Sequence, residues 1–336
     1  MWTTICPCMP KGREVLKILH VTNAYPYNEN PIAGIFVKEQ IDSLNKYLDK
    51  NDIYVINAKK NGRLDYLKAL FILRKKVKEY NIVHAHHIYV GFLLLLFNKK
   101  KNNILVSLMS DPERKTGSLL TNFIYRTAYK YCAKYAKGLI FKKEIPDTIQ
   151  RGDVYYLPNG VNMELFVPCS KSVAKQKLGL DENKRYVLFV SAMNLHRKEK
   201  RYDRFQKVMN VLRTKYGIQD LVELTMVNVD RELSPLYYNA CELSLLVSDV
   251  EGSPNSVKES ISCNTPVVST DVGNVRTMIG ELDACKVVSS FDVEEIAKAV
   301  YDVLNKEKFD LRRQLDFLGL SQDNVAQKLN EIYRCL

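Results

Sequence analysis

Short apolar runs alternate along the chain with longer stretches in which apolar positions recur three or four residues apart. The first pattern predicts buried strands, the second predicts amphipathic helices, and their alternation predicts parallel α/β structure. Strands are expected at 15–22, 53–57, 81–87, 104–111 and 138–141, and again at 186–191, 221–228, 243–247, 266–270 and 287–289. Helices are expected at 34–44, where Phe36, Val37, Gln40, Ile41 and Leu44 fall at near-helical spacing, and at 64–80, 119–136 and 235–241. Further helices are expected after the loop at 252–255, at 292–304 and within 311–336. Between the two sets of strands, Pro158, Asn159 and Gly160 interrupt the pattern as turn residues do. A chain of 336 residues suits two domains. The expected division is a leader at 1–14, a first domain at 15–158, a second at 159–320, and a closing helix at 321–336 that packs back on the first.

Composition alters this picture mainly through charge. The chain carries a net +12, but residues 1–158 hold 26 Lys and Arg against 13 Asp and Glu, while residues 159–336 hold 24 against 25. The surplus belongs to the first half, and a basic domain attracts anionic partners. No zinc finger, aromatic ribonucleoprotein motif or recognition-helix pattern accompanies it, so nucleic acid is not expected. An anionic membrane surface fits better. The longest apolar run, 88–97, is ten residues and too short to span a bilayer. With no secretory signal visible, the expected location is cytoplasmic, peripheral on the inner face of the membrane. The eight cysteines are scattered; Cys6 and Cys8 lack the second pair a zinc site needs, so buried thiols in a reducing compartment are expected. His84, His86 and His87 end a strand, where alternation puts His84 and His86 on one face and His87 on the other. No Cys or carboxylate stands near them in sequence, and no metal site is expected. His86, at the strand end, is a candidate contact for an acceptor, because ligands of open parallel sheets bind at that rim.

The densest chemistry lies between Asp249 and Gly273. The apolar run 243–247 enters a loop broken by Gly252, Ser253 and Pro254, and a helix follows in which Ser253 or Asn255 is the expected cap. A helix start presents unpaired backbone N–H groups, a natural seat for phosphate. Glu251 stands at the loop mouth, and Glu259 is expected about two turns into the helix. Ionised carboxylates make strong hydrogen bonds with hydroxyl donors, so the pair suits a sugar and a ribose attached to that phosphate.

Glu251-x7-Glu259, with Gly-x-Pro after the first glutamate and Pro-Val-Val-Ser-Thr-Asp-Val-Gly at 266–273, resembles the donor-site signature of family 4 retaining glycosyltransferases. The run from Leu19 to Pro26, followed by Ala33 to Gln40, is similar to the first loop of the cell-surface polysaccharide, teichuronic-acid branch of that family. The resemblance implies a GT-B architecture, two Rossmann-like domains facing across a cleft. It implies a hexosyltransferase-type enzyme that uses a UDP- or GDP-linked sugar as co-substrate and no cofactor. The acceptor would be a glycan or polyprenyl-linked glycan. Arg197, Lys200, Glu251, Gly252, Ser253, Pro254, Asn255, Ser256, Val257 and Glu259 are the implied donor-binding residues, with Glu251 and Lys200 also catalytic. Lys200 and Arg197 match the family's basic loop, whose cations would stabilise the departing diphosphate without a metal.

On the acceptor side, Gly34 matches the glycine of the first loop, with close backbone approach as its role. Many family members carry a His-Gly pair in the loop that follows the strand at 104–108. Here that loop reads Met109-Ser110-Asp111-Pro112-Glu113-Arg114-Lys115. Asp111 resembles an aspartate of that motif and is the third implied catalytic residue; Ser110, Asp111 or a neighbouring histidine would replace the missing one. Arg114 and Lys115 are candidates for an acceptor phosphate. The departure motivates an alternative, a catalytically silent relative that binds nucleotide-sugars. A phosphorylase would need a pyridoxal phosphate lysine environment that is not identifiable.

Overall fold

The computed structural model describes residues 15–62, 64–98, 103–108, 118–306 and 310–336. They fall into two compact units. The first comprises the chain up to Pro26, Ala33–Asn159 and Asp323–Leu336; the second comprises Tyr27–Ile32 and Gly160–Gln322.

The first unit is built on β1 (Lys17–Thr22), β2 (Lys50–Val55), β3 (Ile82–Ala85), β4 (Ile104–Leu108), β5 (Gly138–Phe141) and β6 (Val154–Tyr156). All pair in parallel, in the order β2-β1-β3-β4-β5-β6. The second strand starts and ends earlier than its sequence suggested. β6 was not expected, because Val-Tyr-Tyr is too short to display a period. The helices are α1 (Ile35–Ser43), α2 (Ala58–Asn61), α3 (Leu64–Lys76), α4 (Ile88–Phe97) and α5 (Leu119–Tyr135). The apolar run 88–97 is α4, packed under the sheet face with Ala69 and Leu73 of α3 and Ala128 and Cys132 of α5. Ser118 caps α5 by accepting from the Thr121 N–H.

The second unit carries β7 (Arg185–Ser191), β8 (Leu221–Val227), β9 (Leu243–Leu246), β10 (Val267–Thr270) and β11 (Lys286–Val288), again parallel, in the order β11-β10-β9-β7-β8. Its helices are α6 (Lys171–Leu178), α7 (Tyr202–Thr214), α8 (Ser234–Ala240), α9 (Asn255–Ser262), α10 (Val275–Ile279), α11 (Val293–Leu304) and α12 (Arg313–Phe317). Phe205, Val208 and Met209 of α7 pack with Ile296 and Val300 of α11 on one face. Val257 and Ile261 of α9 pack with Tyr238 of α8 and Leu315 of α12 on the other. Asp292 caps α11 by accepting from the N–H groups of Glu294 and Glu295.

The last helix, α13 (Gln322–Cys335), lays Val325, Ala326, Leu329 and Tyr333 on the first sheet, against Ile18, Leu105 and Ile140. Toward the carboxyl ends of the strands that face becomes polar. His20, His84, His86 and Lys142 are all buried there. Burial holds His20 down to about 3 and Lys142 down to about 7, because an interior of low dielectric disfavours their charged forms. His84 and His86 lie well below the ordinary histidine range for the same reason, with the neighbouring basic groups adding to it.

A base whose pKa is lower folded than unfolded makes the unfolded chain bind more protons, so stability rises with pH across the interval. For Lys142 that interval runs from about 7 up to its ordinary 10.5. Lys142→Met is therefore expected to stabilise the protein by about 1–3 kcal/mol at neutral pH, as relief of an unpartnered buried polar group does. The gain should shrink toward pH 10.5, and urea melts across that range test it. A destabilised variant, or a gain that does not change with pH, would contradict the assignment.

Candidate functional site

In the second sheet, β7 is flanked by β8 on one side and by β9 on the other. The chain therefore leaves the carboxyl ends of β7 and β9 in opposite directions, the place where open α/β sheets bind ligands. Both exit loops carry the charged groups singled out in the sequence. After β7 come Arg197 and a 3-10 turn, Lys198–Lys200. After β9 come Ser248, Asp249, Glu251 and the loop into α9.

The two loops are tied together. The Asp249 N–H donates to the Glu199 carbonyl at 2.9 Å. The Asp249 carboxylate accepts from Arg201 at 3.2 Å and from Arg204 at 2.8 Å. Arg204 is buried, and its other nitrogen donates to the Val247 carbonyl at 2.7 Å. The Lys200 ammonium donates to Glu251 Oε1 at 2.7 Å, and Ser248 Oγ donates to the same oxygen at 2.8 Å. The Lys200 and Glu251 side chains are 13% and 15% exposed, so their charges meet with little water between them. Arg197 pairs with Glu199 two residues on, at 2.7 Å.

The helix start differs in detail from its sequence reading. Pro254 occupies the cap position, and neither Ser253 nor Asn255 caps through its side chain. Asn255 is instead the first residue of α9, and its Oδ1 accepts from the buried Lys258 ammonium at 3.1 Å. Lys258 also reaches the Ser253 carbonyl at 3.4 Å, so this lysine draws the loop onto the helix. Ser256 follows Asn255 in the first turn, where backbone N–H groups have no intrahelical partner. Val257 is buried in the core, so what it can offer a ligand is its backbone. The Gly252 carbonyl accepts from the Asn274 N–H at 3.1 Å. Gly273 sits above it with φ +60°, where an added Cβ would lie 2.3 Å from the Gly252 oxygen.

Glu259 is the fifth residue of α9, which places it little more than one turn in rather than two. Its carboxylate is buried and accepts from Arg231 at 2.7 Å and from the Tyr238 hydroxyl at 2.7 Å. Burial and the Glu259 charge push the Tyr238 phenol well above its usual range, which keeps it a donor. Arg231 leaves β8 and lies over the Phe166 ring, 4.5 Å from its centre. Lys200 and Glu251 are thus brought into contact, while Glu259 is held by two residues that the sequence analysis passed over. Asp230-Arg231-Glu232, a charged trio directly after a strand, was the available signal.

In the first unit, Gly34 has φ +62°, and an added Cβ would fall 2.2 Å from the Ala24 carbonyl oxygen. The close approach made there is to its own backbone. His86 is buried and bonded to His20 at 2.8 Å. His20 joins His84 and His86 to make a three-histidine group that the sequence, with His20 far upstream, did not suggest. Ser110, Asp111, Arg114 and Lys115 lie outside the described residues, as does the leader at 1–14. Among the described residues no helix is long and apolar enough to cross a membrane. Cys132, Cys241, Cys263 and Cys285 are buried thiols, while Cys169 is exposed.

Comparison with known proteins places this geometry. Residues 205–316 match the family model of glycosyl transferases group 1, so the second unit carries that segment. D-inositol 3-phosphate glycosyltransferases of Thermobispora bispora and Geodermatophilus obscurus are 26% and 25% identical, over 44% and 45% of this chain. The matched stretch spans 41% and 40% of those relatives. Among solved structures, Anabaena HepE in complex with UDP and glucose aligns with a TM-score of 0.70 at 14% identity, covering 96% of this chain and all of that one. Sucrose-phosphate synthase from Thermosynechococcus elongatus aligns with a TM-score of 0.68 at 15% identity, covering 95% and 98%. The fold is thus α/β with two parallel Rossmann-like sheets of the GT-B type.

Gly273→Ala is expected to cost about 1–3 kcal/mol, the range for strained backbone positions, because it needs both a left-handed φ and the space taken by Gly252. Denaturant melts read the loss, and a change within error of zero would show that the loop gives way freely.

Proposed function

We propose that this protein is a retaining, metal-independent glycosyltransferase. It moves a sugar from a UDP- or GDP-linked donor to a glycan or lipid-linked glycan in cell-surface polysaccharide synthesis. The observation that carries the reading is the contact of Lys200 with Glu251 across the β7/β9 exits, beside the start of α9. The family match at 205–316 and the structural likeness to a protein solved with UDP and with UDP-glucose support it.

In this reading the donor diphosphate rests on the first-turn N–H groups of α9 and on the Lys200 ammonium. Both then meet charge that grows as the sugar departs. Glu259 accepts from the ribose hydroxyls. Arg231 and Tyr238 each use one lone pair of its carboxylate, and a carboxylate has about four. Glu251, oriented by Ser248, holds the sugar hydroxyls. The acceptor hydroxyl attacks from the face the diphosphate leaves, and the departing phosphate oxygen takes its proton. No protein nucleophile takes part.

A thermal-shift screen with UDP-, GDP- and ADP-sugars should identify the base. Glu251→Gln should lower transfer by about 10²–10³-fold, as loss of one charged contact at a reacting centre does, with donor binding largely kept. Binding without turnover in the unaltered protein would favour a silent nucleotide-sugar binder instead.

We further place the acceptor at an anionic membrane surface, on the cytoplasmic side. In the first unit α3 exposes Leu64, Leu67, Phe71 and Ile72, and α5 exposes Leu119, Leu120, Phe123 and Ile124. Phe71 is 78% exposed and Leu119 91%, uncommon for residues of that size. Arg74, Lys75 and Lys78 follow the first patch and Arg126 and Lys130 the second, so apolar tips are flanked by cations, as a lipid headgroup layer favours. Vesicles rich in anionic lipid should sediment the protein, and Phe71→Asp combined with Phe123→Asp should release it. Equal recovery with neutral vesicles would remove the membrane from the proposal.

A further inference from the structure

The polar end of the first sheet, beneath α13, gathers side chains from separate elements. His20 comes from β1, His84 and His86 from β3 and its end, Ser107 from β4 and Lys142 from the residue after β5; all are buried. His84 is fully engaged, with the Tyr333 hydroxyl 2.6 Å from Nδ1 and Ser107 Oγ 2.8 Å from Nε2. His20 Nδ1 and His86 Nε2 share one hydrogen bond of 2.8 Å. A neutral imidazole has one N–H and one lone pair, so that bond leaves the pair with one of each unused. The unused atoms are His20 Nε2 and His86 Nδ1; the Asn51 side chain of β2 stands within hydrogen-bonding range of the His20 ring, while His86 Nδ1 has no partner among the described residues. Lys142 Nζ is unpartnered as well.

Buried polar atoms are nearly always bonded, so such a concentration calls for an occupant. A metal is the less fitting one. A nitrogen of each imidazole lies within 4.8 Å of the others, but two of them already share a proton and the third ring has both nitrogens engaged. The nearby charged group is an amine rather than a carboxylate, so a dication would be buried with nothing to offset it. An oxyanion fits the charge better: it accepts from the one free imidazole N–H and from the amine, and its charge offsets an ammonium.

We propose that His20, His86 and Lys142 form a buried site for a phosphate group in the first unit. The inference rests on the glycosyltransferase reading only for the carrier of that phosphate, which would be the acceptor. Phosphate entry favours the charged amine, so binding takes up a proton and strengthens as pH falls. The titratable groups that feel the Lys142 charge are His84 and His86 of β3, both buried. Burial brings Lys142 itself into the neutral range.

Calorimetric titration of inorganic phosphate into the whole chain tests the site, with UDP present throughout to occupy any diphosphate site in the second unit. The unaltered protein should bind one phosphate, more tightly near pH 6 than near pH 8, where the lysine changes charge. Lys142→Met should weaken binding by about tenfold or more, the scale of a charge-assisted contact, and Lys142→Arg should retain most of it. Glycerol phosphate in place of inorganic phosphate, lost in the same variant, would identify a substrate ester as the carrier. Equal affinity in Lys142→Met would overturn the proposal. So would acetate binding as well as phosphate, or zinc binding that depends on His84 while phosphate has no effect. Lys200→Met, titrated with UDP alone, reports separately on the donor reading.

Discussion

The second unit depends on a tie across its sheet. β7 and β9 are hydrogen-bonded neighbours, yet the chain diverges from their carboxyl ends, so nothing in the backbone ladder holds the two exit loops together. The charged contacts do. Asp249 receives Arg201 and Arg204 and gives its N–H to Glu199, and Lys200 reaches Glu251 one loop away. An ion pair on an open surface contributes little. This group is different because Arg204 is buried and is bonded to the Val247 carbonyl as well, so one end of the network is rigid. A ligand that arrives finds the loops already ordered, and the entropy of fixing them is not charged against its binding.

The same economy explains Glu259. A buried carboxylate without donors would be strongly disfavoured, and Arg231 and Tyr238 supply them. Phe166 lies beneath Arg231 and limits where its guanidinium can go. The three groups come from the β8 exit, α8 and α9, so a ligand contact at Glu259 would be felt by both helices of that face. Lys258, one residue earlier and on the inner side, fastens the loop that precedes the helix. Two neighbouring residues of one short helix thus hold different walls of the same concavity.

Much of this was legible in the chain. Alternation of short apolar runs with helical spacing marked ten of the eleven strands among the described residues, and the glycine and proline breaks around 252–254 marked the loop. Glu251 and Lys200 could be named because the stretches around them resemble the donor-site motifs of a glycosyltransferase family; as lone charged residues they would have read as ordinary surface. Three kinds of information were not legible. The cap of α9 was misread because Pro254, with its fixed φ, takes the place that Ser253 and Asn255 compete for by side chain. Arg231 and Tyr238 were missed because their meaning lies in a partner on another element, and a linear pattern does not show pairs. The buried bases of the first unit were missed for the same reason, since β1 and β3 are neighbours in the sheet while their histidines are far apart in sequence.

The two units handle buried charge in opposite ways, and the contrast bears on function. In the second, each buried or half-buried cation of the site faces a carboxylate or a carbonyl, and the near-neutral balance of that half of the chain is the outcome. In the proposed reaction a diphosphate there would meet backbone N–H groups and cations shared with their present partners, which favours release. In the first, Lys142 and the histidines have no acid to answer them among the described residues; burial keeps the histidines uncharged and lowers Lys142 to about 7. Such an arrangement lowers stability without an occupant, and a fold under selection keeps a destabilising feature where function needs it. In the transfer reaction proposed above both arrangements would have a use, because the spent nucleotide must leave while the acceptor stays.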